Sequence, residues 1–456
     1  MASTTPLGTA FWRLWASSGV SNLADGTFKV ALPLVAIQTT REPTLIAGLA
    51  FALTLPWLVF ALPAGALVDR LDRRRTMLRA NATRAFLLAV LAAAVAFGWT
   101  DIWLLYAIAF AAGVAETLYD TSAHSLLPQL VDRDRLPRAN ARLFAVELTA
   151  NEFVGPPLAG LLVAAGALAA FTAPAALWLV ALAALWSVRG TFKIHREHRT
   201  TLRADIAEGL RFLVRHRVLR SLAVMVGLFN VANTASGAVL VLYAVGPASA
   251  MGLTGQLFGL LLTTTAIGSL VGSLAAERVI AKLGRGRSLA VGFTAGTLMV
   301  AAPAVTADPY AVAAAFTVAG GGIAVLNVVA VSLRQHITPD RLLGRVNSAY
   351  RLVAWGTMPL GAAIGGALAH ALGLRAVFVI MTAVSLVTLV GLTAVTDRKI
   401  AVSDGADATP RVARDRETHD QPAPVASWAN ARRNQVNAGA VLSGGPHPFT
   451  TASSRR

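Results

Sequence analysis

Cysteine is absent from all 456 residues, so neither a disulfide framework nor a thiolate metal site is available. Charge is scarce as well: Asp, Glu, Lys and Arg make up 14% of the chain, against roughly 25% in soluble domains. Acidic residues are the rarer sign, 23 against 40 Lys and Arg. The eight histidines are scattered, without the metal-ligand or His/Asp clusters that a multipass lipid transferase needs near the headgroups. What is abundant is apolar sequence, 55% of the chain, in uncharged runs such as 43–68, 157–188, 221–276, 309–333, 352–374 and 376–396. A span takes about 20 apolar residues, so the longest runs hold two crossings each. The first run is itself of span length and no small-residue cleavage site follows it, so it is expected to stay as the first helix and not to leave as a signal peptide.

Apolar runs and the turn signals between them predict an all-α membrane protein of twelve transmembrane helices, near 11–37, 43–68, 77–98, 102–127, 140–165, 168–189, 219–245, 255–281, 287–306, 309–333, 346–370 and 374–396. The connections then alternate in charge. Those after helices 2, 4, 6, 8 and 10, among them "DRLDRRR", "VDRDRLPR" and "ERVIAKLGRGR", are rich in arginine, whereas those after helices 3, 5, 7 and 9 contain no Lys or Arg. By the positive-inside rule the basic loops and both termini are expected in the cytoplasm, and Trp99 and Trp103 are expected to be interfacial anchors on the other side. One missed span reverses the phase of everything downstream, so the regular alternation supports the count. The net charge of +17 suits nucleic acid in principle, but the basic residues are spread over the membrane rim and the tail, which speaks against that partner.

Two halves are expected: residues 1–190 and 219–396 as six-helix bundles, joined by a cytoplasmic linker, 191–218. In the linker Ile206, Leu210, Leu213 and Val214 recur at helical spacing opposite arginines, the pattern of an amphipathic helix along the inner membrane surface. From 397 to 456 Ala, Pro, Gly, Ser and charge dominate, a composition expected to be a disordered cytoplasmic tail. "QLVDRDRL" at 129–136 lines up with "QHITPDRL" at 335–342, and at that 206-residue spacing Gly155 meets Gly361 and Gly160 meets Gly366. Duplicated halves are a common plan of transporters that rock about a central site.

The motif "GALVDRLDRRR" between helices 2 and 3, with Gly65, Asp69, Arg70, Arg73 and Arg74, is similar to the loop signature of the major facilitator superfamily, or MFS. Asp72 stands where that family usually has glycine. "VGPPLAG" in helix 5, with Gly155, Pro156 and Gly160, resembles the helix-5 motif of the antiporters of this superfamily, although Ala159 replaces a glycine. The chain thus resembles an MFS transporter over residues 11–396, and "SNLADGTFKVALPL" resembles the branch of macrolide and siderophore exporters. The resemblance implies two pseudo-symmetric six-helix bundles, a monomer, and Asp69 near the positive N-terminus of helix 11. It also implies a cytoplasmic gate in which Arg73 and Arg74 meet acidic helix ends.

Charges inside the helices are the candidates for function. Counted at 1.5 Å per residue from Arg13, Asp25 lies about 18 Å deep, near the middle of a core about 30 Å thick. A charge there is costly and should face the bundle interior or water. Lys29, one turn on, shares its face and is placed to pair with it. Glu116 reaches similar depth in helix 4, followed on the same face by Asp120 and His124, and Glu152 does so in helix 5. Asp120 belongs either to this acidic set or to the cytoplasmic gate, and Glu152 has Arg142 as an alternative partner. The second half offers Asn230, Asn233 and Asn327, as ligand contacts or as interhelical glue.

Proton-coupled exchange needs a carboxylate whose protonation changes as it is buried and then opened to water, and Asp25 and Glu116 suit that best. The expectation is therefore a proton-coupled antiporter of the bacterial inner membrane, exporting an amphipathic antibiotic, macrolide or siderophore by alternating access. Its partners are a small-molecule substrate, protons and the lipid bilayer, with no cofactor and no metal. Uptake or facilitated diffusion is the alternative, and a membrane enzyme a remote one.

Overall fold

The computed structural model describes residues 7–68, 71–132, 135–188, 190, 192, 202–392 and 395. The predicted tail at 397–456 lies outside them, as do Asp69 and Arg70 of the loop signature. In the first half α1 (Thr9–Ala36), α2 (Pro43–Val68), α3 (Arg73–Ala96) and α4 (Ile102–Leu130) are followed by a broken helix, α5 (Leu136–Leu148) and α6 (Gly155–Ala165) joined by the π-helical turn Thr149–Val154, and then by α7 (Ala167–Trp186). After α8 (Leu202–Arg215) the second half runs α9 (Arg217–Ala244), α10 (Gly255–Val305), α11 (Pro309–Ile337), a second broken helix α12 (Asp340–Gly356) and α13 (Met358–Leu372), and α14 (Leu374–Gly391).

Physical punctuation accounts for these boundaries. α10 is 51 residues long, too long for one crossing, and at Gly284 the backbone leaves the helix with φ 81°, a left-handed value open to glycine at no steric cost. The break falls in "KLGRGR" and yields the two predicted spans. Asp101 caps α4, Thr254 caps α10 and Asp308 caps α11 through their side-chain oxygens, satisfying amides that the first turn leaves without partners. α1 is more polar than the other spans. It buries Ser17, Ser18, Ser21 and Asp25, and their surroundings are other helices, not lipid.

α1 packs on α6 and α7, α3 lies between α4 and α7, and α2 lies on α4; in the second half α9 packs on α13 and α14, and α10 on α11 and α14. The halves meet through α2 with α13 and through α6 with α10. Large apolar side chains such as Leu270, Val271, Leu274 and Val390 remain exposed, as expected of surfaces solvated by acyl chains. Trp99 and Trp103 are also exposed, at the end carrying the short, charge-poor loops.

The amphipathic linker helix forms, as α8. It packs against α12 and α9, with Leu213 buried and Glu208 ion-paired to Arg345 of α12. Leu210 and Val214 stay exposed, so one apolar edge is docked on the protein and the other is free.

Candidate functional site

α1 carries its two innermost charges, Asp25 and Lys29, to different helices. Arg84 of α3 donates from Nη1 to Asp25 Oδ1 at 2.6 Å, and Lys29 Nζ reaches Glu116 Oε1 of α4 at 2.8 Å. The spacing of Asp25 and Lys29 fixes a common face, but each faces a different neighbour, and the expected pair within α1 gives way to two interhelical pairs. Arg84 is fully buried, with Asp25 6% exposed. The second fork of its guanidinium donates to Asn81 Oδ1 at 3.0 Å, an oxygen that also accepts from Ser21 at 3.2 Å. Tyr119 and Trp178 both stack with the same cation, their ring centres 4.8 and 5.2 Å from Cζ. A buried cation requires this much company: an unpaired one is prohibitively costly, and aromatic faces recover part of the lost hydration.

Lys29 and Glu116 are less enclosed, their side chains 37% and 13% exposed. Asp120, one turn along α4, makes no hydrogen bond or ion pair with any described residue but lies within electrostatic reach of Asp25, Glu116, Arg84 and Lys29. Glu152 sits in the π-helical turn, exposed, with Lys29 as its electrostatic neighbour. Asp25, Lys29, Glu116, Asp120 and Glu152 are thus gathered around one region of the first half. His124 lies on α4, with a side chain outside the described set.

The asparagines of the second half do not form a matching set. Asn230 donates to the Ala354 carbonyl at 2.7 Å, an acceptor released where α12 gives way to α13. Asn233 lines a small, mostly apolar cavity with Ser236, Met299 and Phe316. Asn327 is exposed on α11.

The helix-5 motif is an element of close packing. A Cβ on Gly155 stands 2.8 Å from the backbone of Gly26 in α1, and one on Gly160 collides with the Gly255 carbonyl of α10. Pro156 and Pro157 lack amide donors, which frees carbonyls in the preceding turn, and Thr263 of α10 approaches that of Phe153 at 3.4 Å. The repeat partners behave alike: Gly361 packs on Val231 of α9, and Gly366 on Ala47 and Thr44 of α2. In each half the first glycine admits the half's own leading helix and the second admits a helix of the opposite half.

In the loop signature, Gly65 lies near the end of α2. Asp72 has φ −71° and caps α3, accepting from the Arg75 amide at 2.8 Å and from the Phe192 amide at 2.7 Å. A carboxylate therefore does at this turn what a glycine's conformational freedom is not needed for. Arg73 is buried, and Arg74 donates to the Trp186 carbonyl of α7 at 2.8 Å, a helix end but not an acidic one.

Sequence reasoning passed over Arg84, Asn81, Tyr119 and Trp178. The signal for Arg84 was present: an arginine in "ANATRAFLLAV", a turn or more inside an apolar span, demands a buried carboxylate.

Duplicated six-helix halves, joined through glycine-lined crossings around interior charges, define a polytopic membrane transporter. A family model described as transmembrane secretion effector matches residues 1–432. The chain is 30% identical over 408 residues to the MFS-type transporter y4rN of Sinorhizobium fredii, covering 86% of this chain and 94% of that protein. It is 26% identical over 380 residues to the enterobactin exporter EntS of Salmonella typhi, covering 80% and 86% respectively. Among solved structures, a bacterial homologue of the iron transporter ferroportin in an inward-facing state is similar in fold, with a TM-score of 0.67 at 19% identity over 84% of this chain and 98% of that one. The chain belongs to the major facilitator superfamily, in its family of transmembrane secretion effectors.

Proposed function

We propose that the chain is a secondary active exporter of the bacterial inner membrane that exchanges protons for an amphipathic small molecule. The reading rests on one observation above all: two carboxylates, Asp25 and Glu116, each hold a cation of a neighbouring helix in the interior of the first half. A proton on either carboxylate removes its charge and releases Arg84 or Lys29, so protonation is tied to the side-chain links from α1 to α3 and α4. Asp120 and Glu152 lie close enough to take up the released cation, which gives the proton a short acidic route. The EntS relative, an enterobactin exporter, supports export as the direction.

The glycine-mediated crossings of α6 with α10 and α13 with α2 support alternating access. They are contacts without large side chains between the halves, which can part and re-form at little cost in buried area. The arginine-rich loops and both termini face the cytoplasm in this reading, and the carrier works as a monomer with residues 1–190 and 219–396 as its two moving bodies.

Proteoliposomes with an imposed pH gradient test it. Substrate-dependent proton flux is expected from the wild type, and loss of that flux from Asp25→Asn and from Glu116→Gln, with the proteins still inserted. Unchanged flux in both variants removes these carboxylates from the coupling.

A further inference from the structure

Arg351 is a half-buried cation in the second half that no carboxylate among the described residues holds. It makes no hydrogen bond or ion pair with any described residue; its neighbours are two indole rings, Trp355 with its centre 4.3 Å from Cζ and Trp57 at 5.7 Å. Trp57 belongs to α2 and Trp355 to α12, so the rings come from opposite halves, and they meet edge to face at 4.9 Å. Both are only partly buried, and neither indole N–H has an acceptor among the described residues. A guanidinium fork and two indole donors are therefore collected at the junction of the halves, with no hydrogen-bond acceptor for them among the described residues.

The surroundings give this place a sign. Arg334 of α11 adds a second positive charge in electrostatic reach; it is stacked on Tyr350 at 4.2 Å and bonded to Asn347 at 2.5 Å. Asp120 of α4 is the acidic group in reach of Arg351, and the two are not paired. The acidic set thus belongs to the first half, while α11 and α12 present cations and aromatic rings. Leaving a cation partly desolvated without a counter-ion is costly, and a ligand that supplies the missing negative charge recovers that cost.

We infer that Arg351, Trp57 and Trp355 form the recognition site for a planar aromatic anion. Its carboxylate or phenolate takes the guanidinium fork in charge-assisted hydrogen bonds, and its ring packs offset or edge-on against the indoles. This deepens the proposed export function by naming the chemistry of the cargo, and it rests on that reading only for the statement that the bound anion is transported. Because Trp57 and Trp355 come from different halves, the bound ring ties the halves together at the site.

The full chain, purified in a non-ionic maltoside, is titrated calorimetrically with sodium salicylate, with cyclohexanecarboxylate and benzyl alcohol as probes lacking the ring or the charge. Salicylate is expected to bind at least about tenfold more tightly than either. Arg351→Gln is expected to weaken it tenfold or more, Arg351→Lys to an intermediate degree, and Trp355→Leu severalfold. Arg351 makes no hydrogen bond with any described residue, so its variants should keep the wild-type thermal unfolding temperature. Wild-type affinity in a folded Arg351→Gln protein, or equal affinity for the three probes, overturns the inference. Lost proton coupling with a normal Arg351 phenotype, or the reverse, shows which of the two readings has failed.

Discussion

At the residue scale the central fact is that Arg84 is fully buried and depends on four side chains for its charge: Asp25, Asn81 and the aromatic pair Tyr119 and Trp178. Breaking a buried pair by deleting one partner strands the other charge and costs about 3 to 5 kcal/mol. Arg84→Gln and Asp25→Leu are therefore each expected to lower the thermal midpoint in detergent markedly. The double variant is expected to recover much of the loss, which a double-mutant cycle of melting curves will reveal as strong coupling. Lys29→Gln is expected to cost less, about 1 kcal/mol or below, because Lys29 is more than a third exposed and its pair is screened. Gly26 offers a control without charge: a Cβ there meets the Asn151 carbonyl, and Gly26→Ala is expected to destabilise by about 1 to 3 kcal/mol through overpacking of α1 against the π-helical turn.

Elements carry the next level of argument. The broken helices α5/α6 and α12/α13 occupy corresponding places in the two halves, and each break precedes the glycines that make the crossings. Gly160→Ala and Gly366→Ala add a methyl where the opposite half's backbone lies, so both are expected to favour the state in which that face is open. Cysteine labelling at single positions on the charge-poor face, in a chain with no native cysteine, measures the shift as faster modification. The same face carries two polar links between the halves. Arg41 donates to the Val245 carbonyl at 2.9 Å, and Glu42 shares a 2.7 Å hydrogen bond with His370. The bonds from His370 and Thr44 hold the Glu42 carboxyl below its ordinary 4.5. A depressed value in the linked state means that the contribution is fully present above pH 4.5 and disappears as pH falls through the lowered value. Labelling of a single cysteine placed at this face, taken relative to one on an always-exposed loop so that the loss of thiolate cancels, is accordingly expected to rise in strongly acidic buffer, and Glu42→Gln in the same background is expected to remove that step.

For the whole molecule the two halves share a scaffold but not a charge pattern. At the 206-residue offset Asp25 falls on Val231, Lys29 on Ala235, Glu116 on Gly322 and Asp120 on Leu326. Packing glycines are duplicated, while Asp25, Glu116 and Asp120 have no acidic counterpart at the matching positions of the second half. Ala47 and Gly366 are near enough across the halves that a cysteine pair needs only a small adjustment to reach disulfide geometry. Oxidising Ala47→Cys/Gly366→Cys is expected to abolish transport in proteoliposomes, and reductant to restore it. Full activity after complete cross-linking contradicts alternating access through this face.

The sequence by itself determined the number of crossings, because a bilayer forces every span to be apolar and about 20 residues long, and it separated the spans on either side of Gly284, whereas the break of the fifth span at Thr149–Val154 emerged only in the structure. The repeat also disclosed which glycines correspond, since a shared spacing survives where side chains diverge. Partners were decided only by tertiary structure. Spacing put Asp25 and Lys29 on one helical face, but which helix stands opposite each is fixed by the assembly of the bundle, with α1 on α6 and α7 and α3 between α4 and α7, and this gave Asp25 to Arg84 and Lys29 to Glu116. Asn230 turned to a carbonyl freed by a helix break for the same reason, and Arg351 met Trp57 only because two distant segments cross there. Local periodicity encodes faces, whereas the pairing of faces is a property of the assembled bundle.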